Sequence, residues 1–180
     1  MSAEFARHAP GPSVLPGSPS PYFLQAGQGE HAHLFDSLFT VLLGKEETEG
    51  QFGVFTMTAP KGQAIPVHAH PDVHEIFYLL DGRVRVWIQS AAGELLDRVL
   101  GPGDFGYVPA GLLHSYRSES DGTRVLGVCT GGFEGFFAAA GTRAGSADLP
   151  AHPYVPSPEQ LGAAAAAFRN EFHPEVRFDA

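Results

Sequence analysis

Val67–Gly82 reads VHAHPDVHEIFYLLDG, and within it His68, His70, His74 and Glu75 fall inside eight residues before the chain turns apolar and aromatic. On a strand, His68 and His70 leave the same face because they are two apart. Pro71-Asp72 supplies turn chemistry, and the chain resumes as HEIFYLL. On that return strand Glu75 points to the face of His68 and His70, with Phe77 and Leu79 inward beside it, while His74, Ile76 and Tyr78 take the other side. Two imidazoles and a carboxylate thus converge inside a β-structure. A divalent metal wants such donors, at ~2.0–2.2 Å and with positions left open. Without one, burying the same groups would cost several kcal/mol.

A second stretch, GPGDFGYVPAGLLHSY, carries the expected fourth donor. The turn Pro109-Ala110-Gly111 introduces a strand on which His114 and Tyr116 share a face. An inward His114 completes a set of three imidazoles and one carboxylate.

The rest of the chain agrees with a barrel around such a point. Its 180 residues, 43% of them apolar and 17% charged, suit one globular domain with a core. Gly 22 and Pro 15 favour many short strands over long helices. Strand-like segments follow one another: HLFDSLFTVLLG, FGVFTMTA, IPVHAH, HEIFYLL, RVRVWIQ, ELLDRVL, GDFGYVP, LLHSYRS and TRVLGVCT. Their spacing of about 8–12 residues is the rhythm of a sandwich or barrel. In RVRVWIQ, Val84, Val86 and Ile88 face one way and Arg83, Arg85 and Trp87 the other. The fold class expected is all-β, with residues 1–20 as a flexible or extended N-terminal arm and 21–132 as the barrel. Residues 133–180 form a C-terminal helical segment packed on it. There, FEGFFAAAG reads as a short helix, and Ser157-Pro158-Glu159-Gln160 as the N-terminal cap of a second. Tyr22, Phe23 and Leu24 are expected to dock where the arm ends.

Charge excludes several functions. Eleven basic residues stand against 20 acidic, a net −9, with no Lys/Arg cluster, so neither nucleic acid nor an anionic membrane is an expected partner. Cys129 is the one cysteine; in the apolar run VLGVCTGG it reads as a buried, inert thiol. The stretch MSAEFARHAPGPSVLPG has no apolar leader core, no run approaches the ~18 residues of a spanning helix, and a cytoplasmic location is the expectation.

Gly62-x5-His68-x-His70-x4-Glu75-x6-Gly82 and Gly103-x5-Pro109-x-Gly111-x2-His114 resemble the two motifs of the cupin superfamily, in the right order. Where the second motif usually has Asn, this chain has Ser118, which is not a ligand position. The resemblance implies a single cupin, an antiparallel β-barrel of jelly-roll type, with one divalent transition metal held by His68, His70, Glu75 and His114. Nickel, cobalt, manganese, iron, copper and zinc all suit that donor set. The blocks PYFLQAGQGEHAHLF, HAHPDVHEIFYLLDG, PGDFGYVPAGLLHSYR and GFEGFFAAAGT further resemble the bacterial quercetin 2,3-dioxygenases, in their short, single-cupin form. That similarity runs from about residue 21 to about 160.

It implies an oxidoreductase that cleaves the central ring of a flavonol with O2 and releases carbon monoxide, with Glu75 as both ligand and proton acceptor. By the same resemblance Phe77 and Tyr116 line the flavonol pocket, Tyr22 is a further candidate to close it, and the protein is a homodimer. Two other readings stay open: another metal-dependent cupin enzyme, such as an isomerase or a dioxygenase of another phenol, and a cupin that binds a ligand without turnover. His74 is read as outside the ligand set, and His31-x-His33 as a solvated strand end. His8, His152 and His173 lie in loop-like sequence without convergent partners.

Overall fold

The computed structural model describes residues 14–178. Along the chain run β1 (Glu30–Leu34), β2 (Ser37–Leu43), β3 (Phe52–Ala59), β4 (His68–Ala69), β5 (Glu75–Asp81), β6 (Val84–Gln89) and β7 (Leu95–Leu100). Then come β8 (Phe105–Val108), β9 (His114–Ser118), β10 (Thr123–Thr130), helix α1 (Gly135–Ala140), β11 (Thr142–Arg143), helix α2 (Pro158–Phe168) and β12 (Glu171–Phe172). They form two antiparallel sheets, ordered β11-β1-β2-β3-β10-β5-β8 and β12-β4-β9-β6-β7. This is the all-β class that the residue pattern predicts, in the jelly-roll arrangement that the resemblance implies.

Alternation drives the layering. Along β3, Gly53, Phe55, Met57 and Ala59 are buried and the residues between them are not. Along β10 the buried set is Thr123, Val125, Gly127 and Cys129. Phe55 pairs with Gly127 across these strands, and a Cβ at 127 would overlap the Phe55 ring. Glycine is required there so that the ring can lie over the neighbouring backbone. From the far side, α1 brings Phe137 into the core, stacked on Phe39 with centroids 4.1 Å apart.

Three expectations are corrected. HLFDSLFTVLLG is two strands: Phe35 takes a positive φ of 52 and Leu34 pairs with Ser37, so the chain reverses within it. The C-terminal segment has both expected helices, with the Ser157 hydroxyl accepting from the Gln160 amide at 3.1 Å. It also contributes β11 to the first sheet and β12 to the second. Those strands are two residues each, too short to leave a period in the sequence. At the arm's end Tyr22 is half-buried, its hydroxyl donating to the Leu42 carbonyl, but Phe23 is fully exposed.

Residues 14–20 lie against the body: Leu15 is buried, and the Gly17 amide donates to Glu47 Oε1 at 2.7 Å. The remainder of the arm, residues 1–13, lies outside the described residues. No helix among the described residues is long and apolar enough to cross a membrane.

Candidate metal centre

His68 sits on β4 and His114 on β9, directly opposite one another in register. Glu75 opens β5 in the other sheet, between Cys129 of β10 and Val108 of β8. His70 follows β4, and its carbonyl accepts the Gly111 amide at 2.7 Å. Gly111 has φ 82, a conformation that side-chain-bearing residues rarely adopt. That turn therefore ties the loop before His114 to the loop after His68. One sheet delivers the imidazoles and the other the carboxylate.

All four side chains are buried, His70 and His114 at 1% exposure, and their donor atoms lie within 4.8 Å of one another. That is close to the ~4 Å separating opposite donors on a metal with bonds of ~2.0–2.2 Å. The imidazoles are oriented for it. His68 Nδ1 lies 2.9 Å from the Pro66 carbonyl and His114 Nδ1 2.9 Å from the Leu112 carbonyl. A carbonyl can only accept, so both Nδ1 atoms carry a proton and Nε2 is the nitrogen each ring turns inward. His114 Nε2 is 2.8 Å from Glu75 Oε2, and His70 Nε2 is 3.6 Å from the same oxygen. The 2.8 Å contact is a hydrogen bond, its proton standing where a cation would bind. Both ring nitrogens of His70 are buried without a hydrogen-bond partner, a costly state that a cation bound at one of them would relieve in part. These observations fit a divalent metal.

The electrostatics point the same way. Burial, then the neighbouring imidazoles of His114 and His70, hold His68 well below its ordinary pKa. Burial lowers His70 to about 4 despite the Glu75 carboxylate. Burial alone would raise Glu75, but the His114 hydrogen bond and the adjacent imidazoles outweigh it and keep the carboxyl below its usual range. A neutral His68 and His70 and an ionised Glu75 are the states in which these groups bind a metal.

The cluster opens on a cavity of about 290 Å³ with walls that are almost wholly apolar. Phe77 and Tyr116 both line it; the Tyr116 hydroxyl lies 3.0 Å from Met57 Sδ. Burial and the nearby Glu75 push that phenol well up. Tyr22 is not part of the lining.

His74 points outward: it is exposed, its Nδ1 2.8 Å from the Tyr107 hydroxyl. His31 and His33 are half-buried on β1, bonded to Thr40 Oγ1 and the Asp148 carbonyl, away from the cluster. Cys129 is fully buried and burial holds its thiol protonated.

Wall residues that sequence reasoning passed over come from the C-terminal segment. Phe133 packs on the His70 ring at 4.1 Å, and Phe136, Asn170, Phe172 and Pro174 also line the cavity. The aromatic spacing in FEGFFAAAG could have flagged the first two.

Comparison with known proteins agrees with this architecture. Residues 55–130 match the cupin domain family. The quercetin 2,3-dioxygenase of Bacillus subtilis (strain 168) is 38% identical over 128 residues, 71% of this chain and 36% of that one. The quercetin 2,3-dioxygenase of Aspergillus japonicus is 36% identical over 109 residues, 59% of this chain and 31% of that one. The chain thus spans about a third of the length of these curated relatives. Among solved structures, the oxalate decarboxylase of Bacillus subtilis superposes with a TM-score of 0.51 at 22% identity, over 61% of this chain and 31% of that one. The barrel that brings the four donors together is a cupin domain.

Proposed function

We propose that the protein is a metal-dependent dioxygenase that opens the central ring of a flavonol such as quercetin, with His68, His70, Glu75 and His114 as its metal ligands. The observation that carries this reading is the cavity: aromatic walls around one polar focus, the four-donor cluster. A flat, apolar phenol suits such a space. A small dicarboxylate does not, because among the described residues no Lys or Arg lines the cavity to neutralise it. The sequence likeness to two quercetin 2,3-dioxygenases supports the substrate class.

A divalent metal bound here supplies Lewis acidity, lowering the pKa of a phenolic hydroxyl brought against it. The chain's own groups do the rest. Glu75, ionised at neutral pH and aimed at the imidazole cluster, accepts the proton of the flavonol 3-hydroxyl. Phe77 and Tyr116 hold the ring system flat against the cluster, and the Phe133 and Phe136 walls exclude water from the deprotonated substrate. In the overall reaction both atoms of O2 enter the ring-opened ester and one ring carbon leaves as carbon monoxide. The protein contributes positioning, deprotonation and dryness.

Metal-loaded protein mixed with quercetin in air is the test. Loss of flavonol absorbance with stoichiometric carbon monoxide supports the proposal. Spectral change without O2 uptake would make the protein a binder, and no response would move it to another cupin chemistry.

A further inference from the structure

Asn170 is 6% exposed, lines the cavity, and buries its Oδ1 with no hydrogen-bond partner. Two other polar groups of the wall outside the metal cluster have partners: the Gln63 amide donates to the Ala64 carbonyl and the Tyr116 hydroxyl meets Met57. Among the described residues, Asn170 is the cavity-lining side chain with a buried polar atom left unpartnered.

Its mount is built by the end of α2. Arg169 closes the helix in the left-handed region, φ 51, and the Asn170 amide donates back to the Ala165 carbonyl at 2.9 Å. The chain then enters β12, where Glu171 pairs with Ala69 and Phe172 with His68. Strand parity sends Asn170, Phe172 and Pro174 the same way, and all three line the cavity. Both ends of the segment are fastened: Arg169 pairs with Asp72 of the β4–β5 turn, and the His173 amide donates to the Val67 carbonyl at 2.8 Å. A buried acceptor with no partner destabilises the fold unless something donates to it.

We infer that Asn170 Oδ1 is a specificity determinant of the cavity: it accepts a hydrogen bond from a ring hydroxyl of a polyhydroxylated aromatic ligand, remote from the hydroxyl directed at the metal cluster. This rests on reading the cavity as a pocket for such ligands. The role is that of a positioning residue, selecting hydroxylated rings over bare ones, because a site built to bond a hydroxyl rejects the analogue lacking it.

The experiment measures binding without oxygen. Quercetin and 3-hydroxyflavone, which shares the 3-hydroxyl but lacks the other ring hydroxyls, are titrated into metal-loaded wild type, Asn170→Leu and Asn170→Asp. Wild type should prefer quercetin. Asn170→Leu should lose about tenfold in affinity for quercetin, the worth of one net hydrogen bond, and less than twofold for 3-hydroxyflavone. Asn170→Asp, which keeps an acceptor, should retain the preference. If Leu at this position unfolds the chain, Asn170→Ala carries the same comparison.

An equal loss for both ligands, or none for either, would overturn the inference. The expected pattern without ring cleavage in air would leave Asn170 its role and remove the dioxygenase reading. Ring cleavage without the pattern would do the reverse. Failure of wild type to bind either flavonol removes both.

Discussion

The His68–Glu75 stretch, which crosses from one sheet to the other, and the segment from Arg169 to Pro174 face the same cavity but are specified differently. In the first, residue type and strand parity are both constrained: a carboxylate one position away from 75 would leave the cluster, as His74 does at its exposed position beside Tyr107. The C-terminal segment needs only shape and one polar atom. Its place depends on pairing with β4, about a hundred residues earlier in the chain. Chemistry at fixed spacing is visible in a string of residues. A wall supplied from a distance is not.

That contrast can be broken by experiment. The largest effect should come from Glu75→Gln, which keeps size and removes the proton acceptor. Turnover of quercetin should fall by about 10²–10⁴-fold, while His74→Ala stays within about twofold. Equal losses would mean that the two faces of β5 are misassigned.

Next, His114→Ala removes one of four donors. Elemental analysis should find far less than one metal per chain, and full occupancy with normal activity would dissolve the four-donor cluster. A third comparison sets a fully buried ring of the cavity wall against a half-buried one. Phe137→Ala, which unstacks the buried ring from Phe39, should cost about 3–5 kcal/mol in denaturant unfolding. Phe172→Ala, at a half-buried position, should cost about 1–2 kcal/mol and show itself mainly as a raised KM. If Phe172→Ala proves the more destabilising, β12 is structural core rather than pocket wall.

The last comparison is a slope in pH. In metal-free protein His70 has its pKa lowered to about 4 by burial, against about 6.5 in an unfolded chain. Between those values the unfolded state binds the extra proton, so stability rises with pH across the window and is lost as pH falls from about 6.5 toward 4. Each such imidazole contributes at most about 1.4 kcal/mol per pH unit. His68, lowered in the same direction, adds to the slope. Urea melts at stepped pH would show it, and a flat profile would mean that the imidazoles are not buried neutral.

Much of the barrel was readable beforehand because its signals are local. RVRVWIQ alternates, and β6 buries Val84 and Val86 on the inner side. Trp87 on the opposite side is also buried, beneath the guanidinium groups of Arg85 and Arg117 at 5.3 and 5.4 Å. No two-residue period foretells that cover. The reversal at Phe35 has only Asp36 and Ser37 as a turn signal, and no Gly, Pro or Asn, within an otherwise continuous apolar run. Tyr22 was a plausible lid by composition, yet its hydroxyl is committed to the Leu42 carbonyl.

By itself, the sequence determined the all-β class, the two turns that bracket the donors, and which of the clustered histidines face inward. Those features follow from strand periodicity and from glycine and proline geometry, which act over a few residues. Only the tertiary structure decided that the carboxylate comes from one sheet while His68 and His114 come from the other. It also decided that Phe133, Asn170 and Phe172 complete the cavity and that the Asn170 amide oxygen is buried without a partner. Contacts between residues a hundred positions apart are set by packing two sheets around one core, and no local pattern encodes them.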